Sequence, residues 1–196
     1  MLKREQKKQN TREKLLTAAA LCFAEKGYSA CSISDIARQA EVAQGTMYVH
    51  FKNKEALFQA MIVGEHAQGA EKARQAADVR PYLDGIIRVM TDCILEVGFP
   101  VDHRLWTEIL AVAAREPSVR ETFAASDKAM RAVFADLLRK AAEAGEIDDS
   151  LDFDGVSVWL YALVDGLIAR TADDPGFDFQ THLPVFQALV RRALRP

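Results

Sequence analysis

Apolar residues recur along the chain at intervals of three and four, and strict apolar–polar alternation is almost absent. The pattern predicts an all-α protein of about nine helices. Leu15, Ala19, Cys22 and Phe23 form one stripe, whose start is predicted by the capping-box spacing of Asn10 and Glu13 and whose end by Gly27. Ser32 is placed to cap a short second helix carrying Ile33, Ile36 and Ala37, which ends near Ala40. A three-residue turn, Glu41-Val42-Ala43, leads into Gln44 to His50, room for only two helical turns before Phe51. Asn53 then caps a long helix with Leu57, Met61 and Ile62 on one face and an alanine-rich, charged continuation through Gln75.

Further on, Pro81 opens a helix to about Gly98, Pro100 breaks it, and Val101 to Arg115 forms the next. Pro117 suits the first turn of a long helix with Phe123, Met130, Phe134 and Leu137 inward, ended by Gly145 in a left-handed cap. Asp152 or Asp154 begins a very apolar helix to about Ala172, and Gln180 to Leu194 makes the last. The most apolar run, Val156 to Ala169, is interrupted by Asp165 and falls short of the roughly 20 residues a bilayer span requires. No apolar run follows the basic N-terminus as it would in a secretory signal. The expectation is a cytoplasmic protein without a membrane partner.

Two short helices joined by a three-residue turn form a helix-turn-helix arrangement. Ala37 lets the two helices cross closely, while Val42 and Met47 seal them onto the first helix. The exposed side of the third helix then carries Gln44, Thr46, Tyr48 and His50. A glutamine amide can bond an adenine edge in two places, a threonine methyl can meet a thymine methyl, and a tyrosine hydroxyl can reach a phosphate. Lys52 and Lys54 supply flanking charge, and Ser32, Ser34 and Gly45 complete the candidate DNA-binding set. His50 has a second reading as a cap on the C-terminus of its own helix.

Charge sharpens this picture. Net charge is −3 overall, yet the first 60 residues carry ten Lys or Arg against six acids, so the acidic excess lies entirely in the remainder. A basic first third ahead of an acidic body suits a polyanion-facing module, although a solvated helix face would look similar on charge alone. The three cysteines, Cys22, Cys31 and Cys93, are odd in number and scattered, which argues against a disulfide scaffold. The histidines show no ligand spacing, so neither a metal nor a cofactor is expected. Cys31, beside the candidate DNA-binding helices, could serve as a redox sensor, but with no second cysteine near it in sequence it reads as a small buried residue.

The run GYSACSISDIARQAEVAQGTMYVHFKNKEALF, Gly27 to Phe58, resembles the DNA-binding signature of the tetracycline-repressor (TetR) family almost throughout. It keeps the order Ile36-Ala37, Val42, Gly45-Thr46, Tyr48, Phe51, Lys54-Glu55 and Leu57. HRLWTEILAVAAREP and ALVDGLIAR resemble, more loosely, the ligand-binding and dimerising body of a betaine-repressor-like or multidrug-repressor-like branch. Three positions depart from the pattern. Glu41 stands where the family has glycine, so the turn is expected either to hold a left-handed non-glycine residue at a cost of about 1 kcal/mol or to take a different shape. Ala43 replaces a serine cap, and Gln44 replaces a lysine.

The resemblance implies a DNA-binding domain over residues 1–53 and a helical ligand-binding and dimerisation domain over 54–196, acting together as a homodimeric repressor on an inverted-repeat operator. It implies an effector pocket among Met90, Cys93, His103, Trp106, Met130, Phe134 and Trp159, although aromatic and methionine residues at helical spacing also serve as plain core. The ligand would be small and largely apolar, with the acidic body favouring a cation. Dimerisation would use Val156, Leu160, Leu163 and Leu167 of one helix with Leu183, Phe186, Leu189 and Val190 of the next. Asp165, buried in an apolar run, needs a partner, at a dimer seam or in effector recognition. Two rivals stand beside this reading: a helical interaction module that has lost DNA binding, motivated by Glu41, Ala43 and Gln44, and a helical enzyme, for which no nucleophile with an adjacent base is present.

Overall fold

The computed structural model describes residues 2–95 and 101–196. Among these there are nine helices and no strand: α1 (Leu2–Ala30), α2 (Ile33–Gln39), α3 (Gln44–His50), α4 (Lys54–Ala76), α5 (Tyr82–Leu95), α6 (His103–Arg115), α7 (Pro117–Glu143), α8 (Phe153–Asp173) and α9 (Phe179–Ala193). No helix among the described residues is long and apolar enough to cross a membrane. The expected end of α5 near Gly98 and the break at Pro100 lie outside the described residues.

Residues form two compact units, one of residues 1–64 with 98–123 and the other of 65–97 with 124–196. This partition differs from a single cut at residue 53, because α6 and the first turns of α7 join the N-terminal helices. Helices α4 and α7 each run without a break from one unit into the other.

In the first unit, Leu15, Ala19, Phe23, Ile36, Met47, Leu57 and Phe58 are fully or almost fully buried, and the rings of Phe23, Tyr28 and Phe58 pack within 5.6 Å of one another. The core of this unit is therefore built from the apolar stripes legible in the sequence. Asn10 does not cap α1, which begins at Leu2. Its basic, polar first turns carry i,i+4 pairs instead, Gln9 donating to Glu13 at 2.8 Å and Gln6 to Asn10 at 3.5 Å. Gly27 breaks the helical backbone at φ 77°, a conformation open to glycine, and one further turn follows before Cys31.

The second unit buries Ile86, Met90 and Ile94 of α5, Phe134, Leu137 and Leu138 of α7, and Leu160, Val164 and Ile168 of α8. Gly69 of α4 makes room there: a Cβ at this position would stand 2.7 Å from Met130 Sδ of α7, so that side chain would have to shift. Gly145 ends α7 at φ 71°, as its position predicted. Pro184, which the periodicity alone passes over, lies within α9 and removes one N–H from its first turns.

Candidate functional site

Helix α2 starts where its sequence dictates. Ser32 Oγ accepts from the Asp35 N–H, and the Asp35 carboxylate in turn accepts from the Ser32 N–H and hydroxyl, closing a capping box. These bonds, joined by Lys26 at 3.2 Å, hold the Asp35 carboxyl well below the usual carboxylate range. Ser32 is thus committed to the cap, with Ser34 Oγ 2.8 Å from its hydroxyl.

The turn takes the left-handed shape at Glu41, whose φ is +56° despite its side chain. Ala43 stands at the N-cap of α3 with no side-chain bond, leaving the first N–H groups of that helix uncapped by its own residue. Met47 is the buried anchor of α3. Gln44, Gly45 and Tyr48 are exposed, Thr46 is half-buried, and Val49 is 71% exposed. Val49 is the residue the sequence reading missed. A valine at 3.6-residue spacing reads as core, whereas with Met47 fixed inward Val49 falls on the opposite side of the helix, one turn after Gly45. Its methyl groups suit a thymine methyl.

His50 is half-buried at the end of α3. Burial lowers its pKa, and the nearby cations Lys8 and Arg12 of α1 lower it further. The Arg12 guanidinium also lies 5.2 Å over the Phe51 ring, which brings basic charge from α1 beside α3. A shallow groove of about 450 Å³ runs alongside, lined by Gln6, Lys7, Asn10, Thr11 and Lys14 of α1 and by Val42 of the turn.

Lys52 is exposed, as a phosphate-facing cation should be. Lys54 is placed differently from the expectation. Its ammonium donates to the carbonyls of Tyr28 at 2.6 Å, Ser29 at 3.4 Å and Cys31 at 3.0 Å, and stands 4.4 Å over the Tyr28 ring. Burial lowers its pKa. From α6, Glu108 accepts the Tyr28 N–H at 2.7 Å. The segment after Gly27 is therefore clamped by Lys54 and Glu108, and Lys54 acts inside the head as a fastening.

Sequence reasoning erred on the cysteines. Cys22 and Cys31 form a disulfide, with Cα atoms 6.0 Å apart. The kink at Gly27 turns the chain so that residue 31 returns to the helix it has just left, which a reading of sequence spacing without that turn does not reveal.

The residues expected to hold an effector do not fall in one unit. His103 and Trp106 belong to the first, where the buried Trp106 ring packs 5.9 Å from Phe123. Met90, Cys93, Met130 and Phe134 belong to the second. Trp159 does not join them: α8 turns Ser157, Leu160, Tyr161, Val164 and Ile168 inward, which leaves Trp159 outward and 67% exposed. Tyr161, absent from the expected set, takes the inner place. Its ring packs 5.2 Å from Phe134, and its hydroxyl is buried beside Gly69 with no hydrogen-bond partner. Burial raises its pKa well above the ordinary value, and the charges of Cys93, Asp127 and Asp165 add to that. Burial likewise pushes the Cys93 thiol up to about 11. Asp165 thus bears on the interior of this unit through Cys93 and Tyr161. Near them His66 is held neutral by burial, its pKa lowered to about 4, with Nδ1 2.7 Å from Ser126 Oγ.

The expected dimer residues also divide. Leu160, Phe186 and Val190 are buried in the core of their own unit, Val156, Leu163, Leu167 and Leu183 are half-buried, and only Leu189 is well exposed. The outward apolar residues of α8 and α9 are Val158, Trp159, Val185 and Leu189. Apolar content alone could not separate the two faces of such uniformly apolar helices.

A buried-anchor helix-turn-helix flanked by basic side chains, followed by an all-helical unit, defines a DNA-binding regulator in its architecture. The family model for bacterial regulatory proteins of the tetR family matches residues 15–61, and that for the BetI-type transcriptional repressor C-terminal domain matches residues 95–195. The chain belongs to the TetR family of transcriptional regulators, with a BetI-type C-terminal domain, and the family's partners are operator DNA, a second copy of the chain and a small-molecule effector. It is 27% identical over 161 residues to the HTH-type transcriptional regulator UidR of Escherichia coli (strain K12), covering 82% of this chain and 81% of that one. It is 26% identical over 165 residues to the HTH-type transcriptional repressor AcnR of Corynebacterium diphtheriae, covering 82% and 80%. Among solved structures, Salmonella enterica GusR superposes with a TM-score of 0.79 at 24% identity, covering 94% of this chain and 95% of that one. The regulator FadR from Bacillus subtilis in complex with stearoyl-CoA gives 0.79 at 22% identity, covering 93% and 98%.

Proposed function

We propose that this regulator is a cytoplasmic homodimeric repressor whose α3 helices read an inverted repeat, and whose release is triggered by a largely apolar effector bound in the second unit. The observation that carries DNA reading is the outer face of α3, where Gln44, Tyr48 and Val49 stand exposed while Met47 anchors the helix beneath them. Residues 1–53 hold this reading face, and residues 54–196 supply the effector and dimer surfaces. In a dimer two such helices would reach successive major grooves, about 34 Å apart. Lys52, Tyr48, His50 and the basic turns of α1 serve the phosphates, and Gln44, Thr46 and Val49 serve base edges.

The test is a mobility-shift titration on a duplex selected from a random library, repeated across salt concentrations. The logarithm of affinity is expected to fall linearly with the logarithm of salt concentration, with a slope set by the number of phosphates neutralised. A salt-independent affinity would overturn the phosphate assignment. Gln44→Ala is expected to cost about 1–3 kcal/mol on the selected site and to relax preference at one base pair per half-site. A loss spread evenly over all sequences would make Gln44 a backbone contact.

For the effector, support comes from the buried, unpartnered Tyr161 hydroxyl close to the apolar side chains of Met130 and Phe134. A ligand with an apolar body and one hydrogen-bonding group fits that chemistry, and a structure of Bacillus subtilis FadR in complex with stearoyl-CoA supports the reading. Helix α4 starts in the head at Lys54 and ends in the second unit at Ala76, so a ligand that shifts its second half changes the bearing of the first. A tenfold release needs only about 1.4 kcal/mol of preference for the released form. In a screen of amphipathic small molecules read by mobility shift, Tyr161→Phe is expected to weaken inducers roughly tenfold while leaving affinity for DNA alone unchanged. Inducers acting equally on both proteins would remove Tyr161 from the site.

A further inference from the structure

We propose that Cys22 and Cys31 are a reversible thiol–disulfide switch, oxidised by a small hydroperoxide, that tightens the DNA grip of the head. The inference rests on the DNA-binding reading and adds a regulation to it. The pair lies wholly within the DNA-binding unit: Cys22 is on α1, and Cys31 immediately precedes Ser32, the N-cap of α2. The bridge therefore joins the supporting helix to the entry of the helix-turn-helix. The segment it closes is also the one clamped by Lys54 through the carbonyls of Tyr28, Ser29 and Cys31 and by Glu108 through the Tyr28 N–H.

Helices α2 and α3 have seven residues each, too short to persist without external support, so what fixes their entry fixes their order. A regulator working on DNA in a reducing compartment has no use for a permanent bridge, and disulfides found there are usually transient and redox-sensing. Cys93, the remaining thiol, is half-buried in the other unit with its pKa raised, and it forms no disulfide, so it is not the partner of either switch cysteine.

The chemistry balances without a cofactor. One thiol loses its proton, and the thiolate sulfur attacks a peroxide oxygen. The O–O bond breaks, leaving a sulfenic acid and, once the departing oxygen takes up the proton, one molecule of water or alcohol. The second thiol attacks the sulfenic sulfur, forming the S–S bond and releasing water. Two thiols are oxidised by two electrons in total, and the hydroperoxide is reduced by the same two. A dithiol reverses the step by exchange through a mixed disulfide, ending as its own cyclic disulfide. Both sulfurs lie in buried residues, which favours a small neutral oxidant over a bulky one.

The full-length protein is treated with hydrogen peroxide or with dithiothreitol, and its thiols are mapped by alkylation and mass spectrometry. Backbone hydrogen exchange over residues 32–50 and affinity for the library-selected duplex are then measured in both states. The expected result is a Cys22–Cys31 peptide only after peroxide, faster exchange in α2 and α3 on reduction, and duplex binding at least fivefold weaker in the reduced protein. Cys22→Ala and Cys31→Ala should each hold the reduced behaviour in both conditions, and comparing the two states of the unaltered protein keeps the test independent of how those variants fold. Thiols that stay free after peroxide, equal exchange in both states, or a reduced form that binds as tightly would overturn the switch. Mapping and exchange need no DNA, so a protein that bound no duplex at all would refute the DNA reading while these two measurements still decided the switch.

Discussion

Lys54→Met is expected to lower the stability of the first unit by about 2–3 kcal/mol and to weaken binding to every duplex alike, without changing how affinity depends on salt. The side chain donates charge-assisted hydrogen bonds to the carbonyls of Tyr28, Ser29 and Cys31 and lies against the Tyr28 ring. Hydrogen bonds from a charged group contribute about 1.5–3 kcal/mol, and a cation over a ring about 0.5–1 kcal/mol at a partly exposed site. Methionine keeps much of the apolar stem and removes the donors, leaving the three carbonyls with one partner fewer. Chemical denaturation checks the first part, and binding isotherms at several salt concentrations check the second. A lysine that neutralised a phosphate would behave in the opposite way: stability would hold, and the salt slope would fall by nearly one unit on its removal. Lys52→Met, at an exposed position, is the comparison that should show that second pattern.

Lys54 also shows where sequence reasoning stops. Its position after a recognition helix marks it as basic and flanking, and nothing in the spacing reveals that three carbonyls converge on it from a segment more than twenty residues earlier. Those carbonyls are presented by the kink at Gly27, and the same kink carries Cys31 back to Cys22. The disulfide and the Lys54 clamp thus have one physical source, a turn whose geometry is set by a single glycine. What depends on local rules was legible: the Ser32 cap and the buried Met47 follow from neighbours within a few residues, and the left-handed position of Glu41 and the missing side-chain cap at Ala43 were marked by the family resemblance. What depends on which side of an apolar helix faces inward was not. In α8 almost every position from Val156 to Leu167 can be buried, so periodicity does not choose between Leu160 and Trp159, and the choice is made by packing against α5 and α7. That choice turned Trp159 outward, placed Tyr161 against Phe134 in the interior, and buried Leu160 in the core of its own unit.

Trp159→Glu combined with Leu189→Glu is therefore expected to split the dimer, whereas Leu160→Ala or Phe186→Ala should unfold the chain before it dissociates. Trp159 and Leu189 are 67% and 58% exposed in the single chain and stand with Val158 and Val185 as the outward apolar residues of α8 and α9. In a two-fold interface each substitution occurs twice, and a buried tryptophan anchor commonly contributes 2 kcal/mol or more. Loss of about 4 kcal/mol from the two tryptophans alone corresponds to roughly a thousandfold weaker self-association. The four introduced carboxylates add repulsion across the same surface. Sedimentation should report a monomer at micromolar concentration with helical circular dichroism retained, and mobility shift should report binding to single half-sites only. Leu160 and Phe186 are 2% and 5% exposed, so truncation leaves cavities costing about 2–5 kcal/mol of folding stability, read as a lower unfolding midpoint. A double variant that stays dimeric would place the interface elsewhere than on the α8–α9 surface.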